Sequence, residues 1–184
     1  MKLMSLSDFI NEKKNDTYSY GCAMIYFNLP EMNIISNDIV ENDLYTEEGD
    51  RSYGIEDEPH ITLLYGLHGD VKDKSIFDAI SKHKIGKFKL YNVSAFKNEK
   101  FDVLKFDIKY LNKSGAFLHK INKELSKLPH TTDYPNYHPH CTIAYLKKGA
   151  SDKYIKKFKD KEYDISSPYI VYSKPDGTKV KKSI

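Results

Sequence analysis

Residues 59–67 read PHITLLYGL and residues 139–147 read PHCTIAYLK. Proline, histidine, threonine and tyrosine recur in one order, and His60 and His140 stand 80 residues apart. β-Branched and aromatic residues crowd both stretches, which makes each a strand. Successive side chains of a strand point to opposite faces. His60 and Thr62 are therefore expected to share one face, with Ile61, Leu63 and Tyr65 turned into a core. The same parity puts His140, Thr142 and Ala144 together and sends Cys141, Ile143 and Tyr145 the other way. Two such strands across a cleft would present two imidazoles and two hydroxyls.

Imidazole titrates near neutral pH, so one copy can accept a proton while the other donates one. The threonine hydroxyls can bond the non-bridging oxygens of a phosphate and stabilise charge that builds up there. This is equipment for acid–base cleavage of a phosphodiester, and it requires neither a metal nor another cofactor. His138 and His140 also form a His-x-His pair, one half of a zinc site, but no Glu-x-x-His grouping accompanies it.

Working outward, each motif strand sits in the same surroundings. A strand over 18–28, a helix opened by Pro30 and running to about Leu44, and an acidic glycine-containing loop precede the first copy. A helix near 73–83 and a strand near 87–96 follow it. Then comes a strand over 101–110, hairpinned to its predecessor through the polar turn KNEK. A helix from Ser114 to about Leu128 carries Phe117, Leu118, Ile121, Leu125 and Leu128 at helical spacing. The second motif leads to a short helix after Ser151, a strand near 163–172, and a closing hairpin at Pro175-Asp176-Gly177.

Strand, helix, loop, motif strand, helix and strand thus occur twice. Ala23–Phe27 aligns with Val103–Asp107, and Ile76-Phe77 with Tyr154-Ile155. The pattern reads as one domain of two duplicated lobes, about 18–96 and 101–173, with the closing hairpin running to 184. Its function would belong to the pair, because each lobe supplies only one His-x-Thr motif.

A chain of 184 residues can bury a core without covalent staples. Cys22 and Cys141 are too few for a disulfide framework and read as reduced thiols of a cytoplasmic protein. No continuous apolar region opens the chain and no stretch reaches membrane-spanning length. A net charge of +3, spread among many acids and bases, does not suit a duplex nucleic-acid binder. Arg51 is the only arginine among 29 basic residues, and its forked guanidinium matches a phosphate. Tyr20, Tyr53, Tyr134 and Tyr137 lie in or next to segments leading to the cleft. Aromatic rings there can stack nucleobases for about 1–3 kcal/mol each.

The motifs at His60, Thr62, His140 and Thr142 resemble, residue for residue, the paired His-x-Thr-hydrophobic motifs of the 2H phosphoesterase superfamily. That superfamily includes 2′–5′ RNA ligase-like proteins and cyclic phosphodiesterases. The resemblance covers nearly the whole chain. It implies an α+β, bilobal, pseudo-twofold fold with antiparallel sheets lining a central cleft, and metal-independent chemistry on phosphodiesters. The segments YGCAMIYF, TEEGDRSYG and EPHITLLYGLH are further similar to phage anti-CBASS nucleases, which degrade the cyclic di- and trinucleotide signals of a bacterial defence. This similarity implies attack of a ribose 2′-hydroxyl on the adjacent 3′–5′ linkage, as in 3′,3′-cyclic GMP–AMP. One histidine would be base and the other acid, in an order the sequence leaves open. A phosphodiesterase of 2′–5′ oligoadenylate or of 2′,3′-cyclic RNA ends would use the same four residues. A non-catalytic nucleotide sponge would use the same cleft.

Overall fold

In the computed structural model, which describes residues 20–48, 53–111, 115–134 and 136–183, the motifs become strands β2 (His60–Leu67) and β5 (His140–Lys147). The other strands are β1 (Gly21–Tyr26), β3 (Phe88–Lys97), β4 (Phe101–Tyr110), β6 (Tyr163–Asp164), β7 (Tyr169–Ser173) and β8 (Lys179–Ser183). Four α-helices accompany them among the described residues: α1 (Glu31–Asn37), α2 (Asp73–Ser81), α3 (Phe117–Leu125) and α4 (Ser151–Phe158). All strand pairings are antiparallel, in two four-stranded sheets ordered β2-β1-β7-β8 and β5-β4-β3-β6.

The sheets do not divide the chain at residue 96. Strand β3 hairpins onto β4 as expected, but this carries it into the sheet of the second motif. The vacant side of β1 is filled instead by β7, from the far end of the chain. The closing hairpin β7–β8 therefore completes the sheet of the first motif. The reason is geometric: a short hairpin between β3 and β4 forces them to be neighbours, so β1 must find its partner elsewhere.

Helices cross over in the same way. Helix α3 packs on β2, and α1 packs on β5. A single apolar cluster joins both sheets, from Ala23, Ile25 and Phe27 of β1 to Leu104 and Phe106 of β4. Each motif strand is also bordered by the loop that precedes the other motif. The Glu56 N–H donates to the Ile143 carbonyl at 2.9 Å and the Tyr145 N–H to the Gly54 carbonyl at 2.7 Å, while the Thr131 N–H donates to the Gly66 carbonyl at 2.9 Å.

The helix expected over 30–44 ends at Asn37. The Val40 N–H donates to the Tyr154 hydroxyl at 2.9 Å rather than to a carbonyl of its own helix, so a tertiary partner from α4 draws the chain out of the ladder. A 3₁₀ turn over Glu41–Asp43 follows. Ile35, Ile39 and Leu44 are buried, but Ile34 and Val40, expected on the apolar stripe, are 64% and 54% exposed. Helix α3 starts at Phe117; the expected cap Ser114 lies outside the described residues. The strand expected over 163–172 is two strands, β6 and β7, in different sheets.

Candidate active site

Cross-strand register fixes which side chains share a face. In the first sheet, Tyr26 stands opposite His60, Met24 opposite Thr62 and Cys22 opposite Tyr65, whereas Ile25 faces Ile61 and Ala23 faces Leu64. Leu63 is left without a partner, a one-residue bulge. The second sheet repeats it: Asp107 stands opposite His140, Lys105 opposite Thr142 and Leu104 opposite Ala144, with Ile143 extra. Both bulges fall three residues after the motif histidine.

A bulge reverses the parity beyond it, which corrects three expectations. Ala144 is fully buried in the core rather than beside Thr142, and Tyr65, expected in the core, is 46% exposed on the histidine face. Tyr145 turns the same way, and its ring meets Phe101 and Tyr53 at 5.5 and 5.3 Å. The register also places Met24 and Lys105 at equivalent positions, one residue away from the alignment of Ala23 with Val103. The carbonyls beside the first bulge are not wasted: Asn122 Nδ2 donates to the Leu63 carbonyl at 2.7 Å, and the Tyr137 hydroxyl donates to the Thr62 carbonyl at 2.9 Å.

The two histidines are held identically. His60 Nδ1 donates to the Glu58 carbonyl at 2.8 Å, and His140 Nδ1 donates to the His138 carbonyl at 2.6 Å. A carbonyl only accepts, so Nδ1 carries the proton and Nε2 of each neutral ring keeps its lone pair for a substrate. His60 is 5% exposed. Its ring stacks on Tyr26 at 5.2 Å, and the Glu56 carboxylate lies 3.9 Å from Nδ1. His140 is half-buried and meets the Phe96 ring edge-on at 4.9 Å.

Burial is the main cause that pushes both imidazoles below their ordinary value, His140 to about 4. The Glu58 carbonyl and carboxylate pull His60 back up, whereas Lys179 pushes it down. For His140, the His138 carbonyl and Asp107 oppose burial, while Lys105 and His60 reinforce it. His60 is thus among the charges that act on His140. An acid–base pair is active with one proton shared between the two groups, so kcat/KM peaks between their pKa values and falls above both. With both depressed, the optimum of kcat/KM is expected on the acid side of pH 6.5, with an alkaline limb of about tenfold per pH unit. A bound anion favours imidazolium, so the kcat profile should be displaced to higher pH. An optimum of kcat/KM above pH 7 would contradict this electrostatic arrangement.

Among the sequence candidates, His60 and Thr62 share one face of β2, His140 and Thr142 share one face of β5, and His60 is close enough to act electrostatically on His140. Tyr20 joins their rim, stacked on His68 at 5.7 Å and edge-on to Tyr65 at 6.4 Å. Tyr53 instead belongs to an aromatic group with Tyr45, Phe101 and Tyr145 beside β5. Tyr134 is 74% exposed. Arg51 lies outside the described residues. Tyr137 has its hydroxyl committed to β2 and its ring against His119 at 5.3 Å, so it supports the strand rather than presenting a free face. Tyr137→Phe is expected to cost about 1 kcal/mol of unfolding free energy in urea, with substrate affinity little altered.

The sequence reading passed over several cleft residues. Lys105, only 6% exposed, donates to Ser94 Oγ at 2.8 Å, pairs with Asp107 and sits 4.5 Å from the Phe96 ring centre. Asn92, at a positive φ of 48°, donates to the other Asp107 oxygen at 2.5 Å. The alternation Lys105-Phe106-Asp107 within an apolar strand was a legible signal for this pair. Tyr26, Tyr169 and, on β8, Lys179 and Lys181 share the histidine face of the first sheet and carried no such signal. Cys22 and Cys141 are both buried free thiols; Cys22 on β1 stands opposite Tyr65 of β2, and Cys141 Sγ donates to the Thr142 carbonyl at 3.7 Å. Among the described residues no group of three or more His, Cys, Asp or Glu side chains converges as a metal-ligand set, and no helix is long and apolar enough to cross a membrane.

Known structures share this layout. Usb1 of Kluyveromyces marxianus superposes with a TM-score of 0.56 at 8% identity, over 91% of this chain and 99% of Usb1. LigT of E. coli superposes with a TM-score of 0.51 at 12% identity, over 90% of this chain and 95% of LigT. At such identities the likeness is one of fold. No curated protein matches the chain by sequence. The sequence profile of the 2′–5′ RNA ligase superfamily does match, over residues 45–168, a span of about two thirds of the chain that contains both histidine motifs. The chain belongs to that superfamily, the 2H phosphoesterases, and is an enzyme of the phosphodiesterase class.

Proposed function

We propose that the protein cleaves 3′–5′ bonds of cyclic di- and trinucleotide signals, such as 3′,3′-cyclic GMP–AMP, in the bacterial cytoplasm, and so counters CBASS defence on behalf of a phage. The observation that carries the chemistry is the matched pair of imidazoles, each with Nδ1 tied to a carbonyl and Nε2 left for the substrate. The similarity of YGCAMIYF, TEEGDRSYG and EPHITLLYGLH to anti-CBASS nucleases supports the choice of substrate.

His140, the neutral ring beside the Lys105 cation, takes the proton of the ribose 2′-hydroxyl. The 2′-oxygen forms its bond to phosphorus as the bond from phosphorus to the 5′-oxygen breaks. His60, with the Glu58 carbonyl and carboxylate favouring imidazolium, gives its proton to the departing 5′-oxygen. Thr62 and Thr142 hydroxyls bond the non-bridging oxygens as charge accumulates. Water then opens the 2′,3′-cyclic phosphate, with the two histidines exchanging roles.

One observation favours a second reading. LigT has been crystallised with 3′-AMP and Usb1 with uridine monophosphate, and these ligands suit a site for linear ends or 2′–5′ oligoadenylate. The deciding experiment incubates purified protein in EDTA with 3′,3′-cyclic GMP–AMP, a cyclic trinucleotide, 2′–5′ oligoadenylate and a 2′,3′-cyclic mononucleotide, and identifies products by mass. Opening of the cyclic oligonucleotides to linear 3′-phosphates supports the proposal. Turnover of the linear or mononucleotide substrates alone overturns the immune-signal reading. Release of intact cyclic ligand on heat denaturation would mark a sponge.

A further inference from the structure

The register of the closing hairpin leads to a second anion site. Lys179 stands opposite Ser173 and Lys181 opposite Val171, while Ser173 stands opposite Cys22 and Val171 opposite Met24. Both lysines therefore share the histidine face of the first sheet. Lys182 confirms the parity, since it turns to the other side, 5.5 Å from the Phe77 ring centre on α2.

On the histidine face the rings form a row. His60 stacks on Tyr26 at 5.2 Å, and Tyr26 stacks on Tyr169 at 5.9 Å. Lys179 Nζ lies 5.4 Å from the Tyr26 ring centre, and Lys181 Nζ lies 5.6 Å from that of Tyr169. The ammonium groups thus step outward from the catalytic pair, one ring at a time. Lys179 is bonded to the Glu58 carboxylate at 3.0 Å, and Lys105 on the opposite sheet is paired with Asp107. Lys181 is exposed and has no carboxylate partner among the described residues. Among the described residues the second sheet has no equivalent, because β6 is two residues long and pairs with β3 only at Lys89 and Leu90.

We propose that Lys181, with Lys179 inside it, binds a second phosphate of the substrate while the first is cleaved between the histidines. The proposal rests on the cyclic-oligonucleotide reading above and specifies how such a ring would be told from a substrate with a single phosphate. A cyclic dinucleotide fixes its two phosphates at opposite sides of one ring, so a cation held on a rigid strand can select that spacing. Lysines on an edge strand can instead serve only to block pairing with other chains. That role would appear in aggregation and leave substrate preference alone.

The test compares KM for 3′,3′-cyclic GMP–AMP with KM for linear GpA, which has one phosphodiester and no other phosphate, using the full-length protein in EDTA. Changing Lys179 and Lys181 together to glutamine should raise the ratio of the two KM values by about tenfold, while any change in kcat from removing the Lys179 charge beside His60 is common to both substrates. Lys181→Gln alone should give a smaller rise in the same direction, and Lys181→Arg should restore the ratio. Equal changes for both substrates, or no change, overturn the subsite. If the wild type cleaves GpA but not the cyclic dinucleotide, it is the substrate reading that fails. The subsite is then judged on pGpA against GpA, and an unaltered ratio overturns it as well.

Discussion

Replacing either His60 or His140 by alanine is expected to lower turnover of the cleaved phosphodiester by about 10²–10⁴-fold. Each ring is the only group on its strand's histidine face that titrates near neutral pH, and proton removal at the 2′-oxygen is useless without proton delivery at the 5′-oxygen. The double variant should be little worse than either single one, because the groups act as a unit. Alanine also removes the donor that satisfies the Glu58 or His138 carbonyl. Asparagine separates the two effects, since its side-chain amide can still donate to that carbonyl but cannot exchange a proton near neutral pH. His60→Asn and His140→Asn should fold with wild-type thermal midpoints, within about 3 °C, and remain inactive. An asparagine variant that kept turnover within tenfold of wild type would sink the two-histidine mechanism, whatever the substrate.

Gly66→Ala should be the most damaging single change to stability. Gly66 adopts a φ of +103°, and a Cβ built there would fall 1.7 Å from the carbonyl oxygen of Thr131. That oxygen belongs to backbone, in the loop whose Thr131 N–H bonds the Gly66 carbonyl, so no side chain can swing aside. The conformational strain and the overlap together are expected to cost about 3–5 kcal/mol, read as a lowered midpoint in urea denaturation. Gly115 supplies the comparison. It too has a positive φ, of +63°, but nothing lies within 4 Å of the point a Cβ would occupy there. Gly115→Ala should cost about 1 kcal/mol, from backbone strain alone. Equal losses at the two positions would show that the loop crossing at Gly66 yields to an added methyl group.

Much of the site was legible because its signals are local. The His-x-Thr alternation needs only a strand to put each pair on one face, and repetition at a fixed interval marks the two strands as counterparts. The bulges were half legible. Leu63-Leu64 and Ile143-Ala144 are consecutive apolar pairs in otherwise alternating strands, as expected where one residue is added on the core side. Period-2 parity carried straight through them put Tyr65 and Tyr145 in the core. Helix α1 was overextended because its apolar spacing continues past Asn37, and only Tyr154, over a hundred residues away, captures the Val40 N–H.

By itself, the sequence determined the α+β class, the two motif strands, the shared face of each His-x-Thr pair, and the membership of a phosphodiesterase family. Local periodicity and residue chemistry suffice for these. Only the tertiary structure decided that β3 crosses to the second sheet, that β7 and β8 return to complete the first, and that loops from each motif border the other's strand. It also decided the neighbours that tune the histidines: Tyr26 and Lys179 for His60, Phe96 and Lys105 for His140. Strand partners are chosen by hydrogen bonding and burial between segments distant in the chain, with closure entropy that depends only weakly on their separation. A lysine on β8 therefore carries no mark in its own neighbourhood of the histidine it will face.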